Sequence, residues 1–320
     1  MAGNITTENT KRLYCFHLPD PDFQFAHHRY LSNLITGVIN ALFAPFAVLA
    51  NFLVFFAILL NPSLRSPSCL LIACLALSDL LVSLIVQPTY VAYRFSEIRF
   101  GYVNCATRLL YATVFYICYG VSFMTLSAIS FERYLALRLH LRYKGLVAGK
   151  RVLLVAILIW ILNIALTSLQ WARINRIARG IHLFFWFASL LITGISQLRI
   201  HLIVRRHYRQ IQQQQPLSSG IQNFRIQVKL AVSVAYIVGI YFLFNFPVVV
   251  VTALHQIVTG HIDSYDYYSW SETVAFLNSF VNPLICFWRS EDIRKAIWKI
   301  LRHGVCKKWI PENLDDDSRT

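Results

Sequence analysis

Residues 125–138 read TLSAISFERYLALR, and this is where a long apolar run stops and cations begin. From Leu109 to Phe131 there are 23 residues without an Asp, Glu, Lys or Arg; then Glu132, Arg133 and Tyr134 arrive together, followed by Arg138, Arg142 and Lys144. About 20 residues of helix cross a bilayer core, so the uncharged run spans and the Glu-Arg-Tyr triplet lies at a membrane face. An arginine there has two readings: a side chain reaching to lipid phosphate, or a charge held or released by small helix movements.

Composition points the same way. The chain has 320 residues, 57% hydrophobic and 14% charged, with mean hydropathy +0.52. Soluble domains carry about 25% charged residues. The net charge of +15 does not indicate nucleic acid, because the cations sit between hydrophobic spans rather than on one soluble face. Seven cysteines show no CxxC or Cys/His metal spacing. The first 30 residues lack the apolar core of a signal peptide, so the first span is expected to direct its own insertion.

Uncharged windows elsewhere give the other spans: 34–60, 66–93 with Asp79 as its one charge, 152–172, 180–198, 230–262 with loop beyond about 255, and 267–288, which holds Glu272. With 109–131 the expectation is an all-α membrane protein, a seven-transmembrane helix bundle with a C-terminal amphipathic helix. Its divisions are an extracellular tail at 1–30, the bundle at 31–289, a cytoplasmic amphipathic helix at 290–303, and a cytoplasmic tail at 304–320. Seven spans put the termini on opposite sides. The loops and tail on the C-terminal side hold 21 of the 30 Lys and Arg, which makes that side cytoplasmic and the N-terminus extracellular. Asn4-Ile5-Thr6 is then an outward glycosylation acceptor. Gln212 to Gln215, with Pro216 and two serines, reads as a flexible loop. In Ser290 to Leu301, Ile293, Ile297, Ile300 and Leu301 recur at helical spacing, as in a helix on the inner leaflet. Cys306 just beyond is a palmitoylation site or a free thiol.

A central acid costs on the order of 3 kcal/mol on insertion scales, so Asp79 is the most expensive residue in the chain. Candidate partners inside the spans are Asn51, Ser122, Asn278, Ser279 and Asn282. Their oxygens suit a hard cation such as sodium or a plain hydrogen-bond network. No other metal and no cofactor is expected. Pro88, Pro247 and Pro283 permit kinks within spans.

These residues, taken together, resemble the rhodopsin-like G-protein-coupled receptors. Asn51 with Val54, Leu75-Ala76-Leu77-Ser78-Asp79, Glu132-Arg133-Tyr134, Trp160, Phe246-Pro247 and Asn282-Pro283 fall in order, one set per helix, over residues 34–303. The resemblance implies a plasma-membrane receptor that is no enzyme and that couples an extracellular ligand to a heterotrimeric G protein. Under it, Glu132, Arg133 and Tyr134 meet the G protein, and Asp79 binds sodium at rest. Asn245, Pro247, Pro283 and Cys286 form the activation hinge, and Arg108, Phe115 and Phe276 line a ligand pocket in the outer half.

Several positions depart from that pattern. Asn245 and Cys286 stand where the family has tryptophan and tyrosine, and neutral Gln227 stands where many relatives place an acid that restrains the arginine. The usual outer disulfide is missing, which leaves Cys15 with Cys105. The short second outer loop and the proline-free fifth helix are similar to the melanocortin, lysophospholipid and cannabinoid receptors. Phe115 replaces the aspartate of amine receptors, and Phe276 replaces the retinal-binding lysine, so neither an amine receptor nor an opsin is expected. The outer charges and aromatics suit a zwitterion, a peptide or a lipid head group. Rival readings are a receptor fold with lost or atypical signalling, and a small transporter or channel, which calls for more intramembrane charges than Asp79.

Overall fold

The computed structural model describes residue 15 and residues 29–139, 143, 147–170, 175–213, 219–257 and 265–303, with the side chains of 175–176, 207–227, 229–231, 233, 255–257, 265–266 and 303 left out. Asn4 and Cys306 lie outside these residues, as does the side chain of Gln227. The described helices are α1 (Tyr30–Leu60), α2 (Pro67–Phe100), α3 (Cys105–Leu139), α4 (Gly149–Gln170), α5 (Asn175–Gln213), α6 (Ser219–Ile257), α7 (Tyr265–Arg289) and α8 (Glu291–His303).

Six of them, α1 to α6, are long and apolar enough to cross a membrane. The seventh is too polar to stand out, and its place explains why: α7 packs between α1 and α6, where Ser269, Thr273, Asn278, Ser279 and Asn282 are buried against protein rather than lipid. The helices overrun the uncharged windows, since such windows measure the bilayer crossing and the helices continue beyond it. Thus α5 runs through Gln213, so Gln212 and Gln213 are helical and not loop.

Two irregularities set the line of α2. Ser66 caps it, its Oγ accepting from the Cys69 amide, with Pro67 at the first position. At Val82–Val86 the helix widens into a π turn, with the Gln87 amide bonded to the Val82 carbonyl. Pro88 has no amide to offer, and a widened turn before it accommodates the broken ladder. Gly101 ends α2 in the left-handed conformation, φ 57°. Gly120 serves a different need: a Cβ there would stand 1.9 Å from Asn163 Oδ1, so α3 and α4 approach this closely only because the side chain is missing.

The apolar core is aromatic. Phe115, Tyr119, Phe123, Trp186, Tyr241 and Phe276 fill the middle of the bundle, with ring centroids 4.9–5.8 Å apart along α3, α5, α6 and α7. For α8, Ser290 Oγ accepts from the Ile293 amide and Glu291 pairs with Lys295 at 2.9 Å. Its apolar side differs from expectation. Ile293 and Ile297 are buried against Val54, Ala57 and Ile58 of α1, while Leu301 is exposed, so half of the stripe docks on the bundle instead of lying on lipid.

Candidate functional site

Polar groups that a helix carries into the bundle must find partners there, since lipid supplies none. They gather at three levels. The innermost is built on the triplet. Arg133 donates from Nε to Glu132 Oε2 and from Nη2 to Glu132 Oε1, both at 2.6 Å. A bidentate pair of this kind is strong and directional. Glu132 is fixed in turn by the Ser68 hydroxyl of α2 and the Tyr143 phenol beyond α3. Burial and the bond to Glu132 push the Tyr143 phenol above its ordinary range, so it remains a donor at physiological pH. Arg133 is only 6% exposed, deeper than a side chain reaching for lipid phosphate would be. Tyr134 instead turns to Arg138, whose Nη1 donates to its hydroxyl at 2.7 Å.

Asp79 is the centre of the middle level and is 2% exposed. Its Oδ1 accepts from Ser279 Oγ at 3.1 Å and its Oδ2 from Asn282 Nδ2 at 2.9 Å. Asn51 joins from α1 by donating to the Ser279 carbonyl at 2.7 Å. Ser122 does not reach the carboxylate. It pairs with Ser78 at 3.0 Å, because consecutive residues of α2 face different neighbours: Asp79 meets α7 and Ser78 meets α3. Asn278 and Asn282 each leave a buried Oδ1 without a hydrogen bond, while the groups that reach Asp79 are the Ser279 hydroxyl and the Asn282 amide nitrogen. The carboxylate and the hydroxyl are oxygens of the kind a hard cation such as sodium takes. Among the described residues no group of three His, Cys, Asp or Glu converges for a metal of another kind.

Sequence reasoning overlooked the outermost level. Arg29, Arg94 and Glu97 are buried, and Arg94 Nη2 lies 3.7 Å from Glu272 Oε2, Arg94 Nη1 3.6 Å from Glu97 Oε2, and Arg29 Nη1 3.8 Å from Glu97 Oε1. Among the described residues it holds two cations and two acids. Below it, Tyr90 donates to the Ser269 carbonyl at 3.0 Å, and Asn40 bonds Thr273 and Gln87, both at 3.1 Å. The missed signal was periodic: Asp79, Ser83, Gln87, Tyr90, Arg94 and Glu97 recur at steps of three or four along α2.

Of the expected ligand-pocket residues, Phe115 and Phe276 come together. Phe115 and Phe276 meet edge to face at 5.8 Å, and Tyr111 stacks on Phe115 at 6.0 Å. A cavity of about 20 Å³, the room of one water, lies beside Tyr116, Arg179, His182 and Tyr268. Arg108 is buried in the first turn of α3, three residues after Cys105, which is disulfide-bonded to Cys15 with Cα atoms 5.3 Å apart. At the hinge, Asn245 turns its side chain to the Tyr241 carbonyl of its own helix at 2.9 Å, while its carbonyl accepts from Tyr119 at 3.1 Å. Cys286 is buried in the core beside Ile285, and Pro247 and Pro283 lie inside α6 and α7.

Comparison with known proteins agrees with this architecture. Residues 50–179 match the model of the 7 transmembrane receptor (rhodopsin family). Adenosine receptor A2a of Canis lupus familiaris is 27% identical over 304 residues, which cover 84% of this chain and 72% of that receptor. The Homo sapiens receptor of the same name is 26% identical over 303 residues, again 84% and 72%, and that of Equus caballus 25% over 316, 88% and 75%. These relatives lend no support to the narrower likeness to melanocortin, lysophospholipid and cannabinoid receptors.

Proposed function

We propose that the chain is a rhodopsin-like G-protein-coupled receptor, and so no enzyme, that it sits in the plasma membrane with its N-terminus outside, binds an extracellular ligand and activates a heterotrimeric G protein through Arg133. The distribution of 21 of 30 cations on the C-terminal side supports the orientation. One observation carries the coupling: a buried arginine held at 2.6 Å by a carboxylate that two further hydroxyls fix in place. A cation so placed is stable only while latched, and releasing it to the aqueous end of the bundle presents a charge to a partner. The test is G-protein dissociation in transfected cells. Arg133→Ala at matched surface level should abolish it, and unchanged activation would overturn the mechanism.

The cluster of Arg29, Arg94, Glu97 and Glu272 above an aromatic floor, with charges of both signs, favours a small polar ligand carrying both donors and acceptors. Adenosine, the ligand in the relatives' name, is the first probe to try. At Asp79, beside the Ser279 hydroxyl, a sodium ion would stabilise the resting state by neutralising the carboxylate.

A second reading, a receptor fold with lost or atypical signalling, draws on Asn245. Its side chain is committed to its own helix, so the bulky switch of the family has no counterpart there. Silence in every G-protein class, basal and stimulated, would favour it.

A further inference from the structure

Outside the three polar levels, a groove of about 1050 Å³ opens between α3 and α5. It is at the upper end of ordinary ligand pockets, about 300–1,000 Å³. Its α5 wall is one helix face, since Ile192, Ile195, Arg199, Leu202 and Arg206 recur at steps of three or four. Its α3 wall is Phe131, Tyr134 and Arg138, at the same spacing.

The lining is graded along the bundle axis. Phe131, Ile192 and Ile195 occupy the end nearer the membrane centre, and each is exposed. Arg138, Arg199, Arg205 and Arg206 occupy the end nearer the helix C-termini. Among the described residues no carboxylate lines the groove, and α5 contains no Asp or Glu in its 39 residues. The nearest acid on α3, Glu132, is buried and turned to Ser68, Tyr143 and Arg133. Four guanidiniums above an apolar, outward-open trough match an amphiphile with a negative head and hydrocarbon tail, oriented as in a leaflet.

We propose that this groove is a binding site for an anionic phospholipid of the inner leaflet, its phosphate groups held by Arg138, Arg199, Arg205 and Arg206 and its acyl chains lying on Phe131, Ile192 and Ile195. The site rests on the receptor reading only for the side of the membrane it faces. Tyr134 belongs both to the groove and to the Glu-Arg-Tyr triplet, so the lipid sits against the helix end that the proposed coupling uses.

The test is native mass spectrometry of the full chain in detergent micelles with phosphatidylinositol bisphosphate or phosphatidylcholine added at equal concentration. Wild type should retain the anionic lipid preferentially, and R199Q/R205Q/R206Q should lower its apparent affinity by about tenfold or more. A control, R294Q/K295Q/K299Q on α8, removes as much charge elsewhere and should leave binding unchanged. Ile195→Trp fills the trough without touching charge and should weaken the lipid, which keeps the test decisive if the arginine variant fails to fold. Soluble inositol trisphosphate should compete poorly. Equal retention by the arginine variant and wild type, equal loss in the α8 control, or competition by the free headgroup as strong as by the lipid would each overturn the proposal. The measurement contains no G protein, so a silent receptor and an absent lipid site give different results.

Discussion

Glu132→Gln tests the latch directly. Glu132 and Arg133 are both nearly buried and share two bonds at 2.6 Å. A hydrogen bond involving a charged group contributes about 1.5–3 kcal/mol. Breaking a buried pair by removing one partner costs about 3–5 kcal/mol when the remaining charge has no escape. Arg133 does have one, because Leu139 ends α3 only about 9 Å further along the axis. The smaller range therefore applies to the shift between latched and released states, and it multiplies the released population by about 10- to 150-fold. A receptor released about 1% of the time would become released in about 10–60% of molecules. The assay is ligand-independent G-protein dissociation across the G-protein classes, with surface expression matched by an N-terminal tag. Basal activation should rise in Glu132→Gln and vanish in Glu132→Gln/Arg133→Ala. Wild-type basal activity in the single variant, or an equal rise in the double, would refute the idea that this pair restrains the arginine.

Other consequences follow from single contacts. Sodium should weaken agonist binding in the wild type and lose that effect in Asp79→Asn; equal sodium dependence in both would leave only a hydrogen-bond network around Asp79. Gly120→Ala places a methyl group 1.9 Å from Asn163 Oδ1 and forces that amide off the Ile159 carbonyl, to which it now donates at 2.8 Å. A loss of about 1–3 kcal/mol should appear as a lower unfolding temperature in detergent, and an unchanged midpoint would show that the α3–α4 approach relaxes freely. Cys15→Ser opens a link across 90 residues of sequence, and removing such a bridge costs about 2–5 kcal/mol in small secreted domains. Surface expression should fall, with Cys105 becoming reactive to a thiol label; full expression with an unreactive Cys105 would argue against the pairing.

Legibility differed between levels for physical reasons. An uncharged window of about 20 residues is a strong signal because lipid penalises every charge, and it located α1 to α6 without propensities. It weakened at α7, where protein neighbours take over from lipid and the sequence is free to be polar. Asp79 was visible as the one charge inside such a window, and Arg133 as part of the charged pair that ends one. The partner of Asp79 was harder, since it depends on which α2 residue faces which helix: Ser279 and Asn282 reach it, and Ser122 meets Ser78 instead. Arg94 and Glu97 lay just past the window's end, where an uncharged window carries no information. In the structure α2 continues to Phe100 and turns both inward. Ser68 and Tyr143 had no sequence signal, because nothing local in a serine or tyrosine reveals a carboxylate 64 or 11 residues away.

The polar contacts between α2 and α7 indicate where a ligand has leverage. The two helices meet at Arg94 with Glu272, at Tyr90 with Ser269 and Thr273, and at Asp79 with Ser279 and Asn282. Distances shorten inward, from 3.7 Å at the ion pair, through 3.0–3.2 Å at Tyr90, to 2.9–3.1 Å at Asp79. The outer end is thus a pair of charges beyond hydrogen-bond length, and the inner end a carboxylate with direct bonds. A ligand that takes Glu272 from Arg94 need not break the inner bonds to move the outer turns of α7. Pro283 lies one residue beyond Asn282, so α7 lacks a ladder bond next to the contact that fixes it. On the proposed reading, motion begun at Glu272 would concentrate where Asp79 holds α7, and a ligand would act on the inner end through that seam only by having different affinities for its two arrangements.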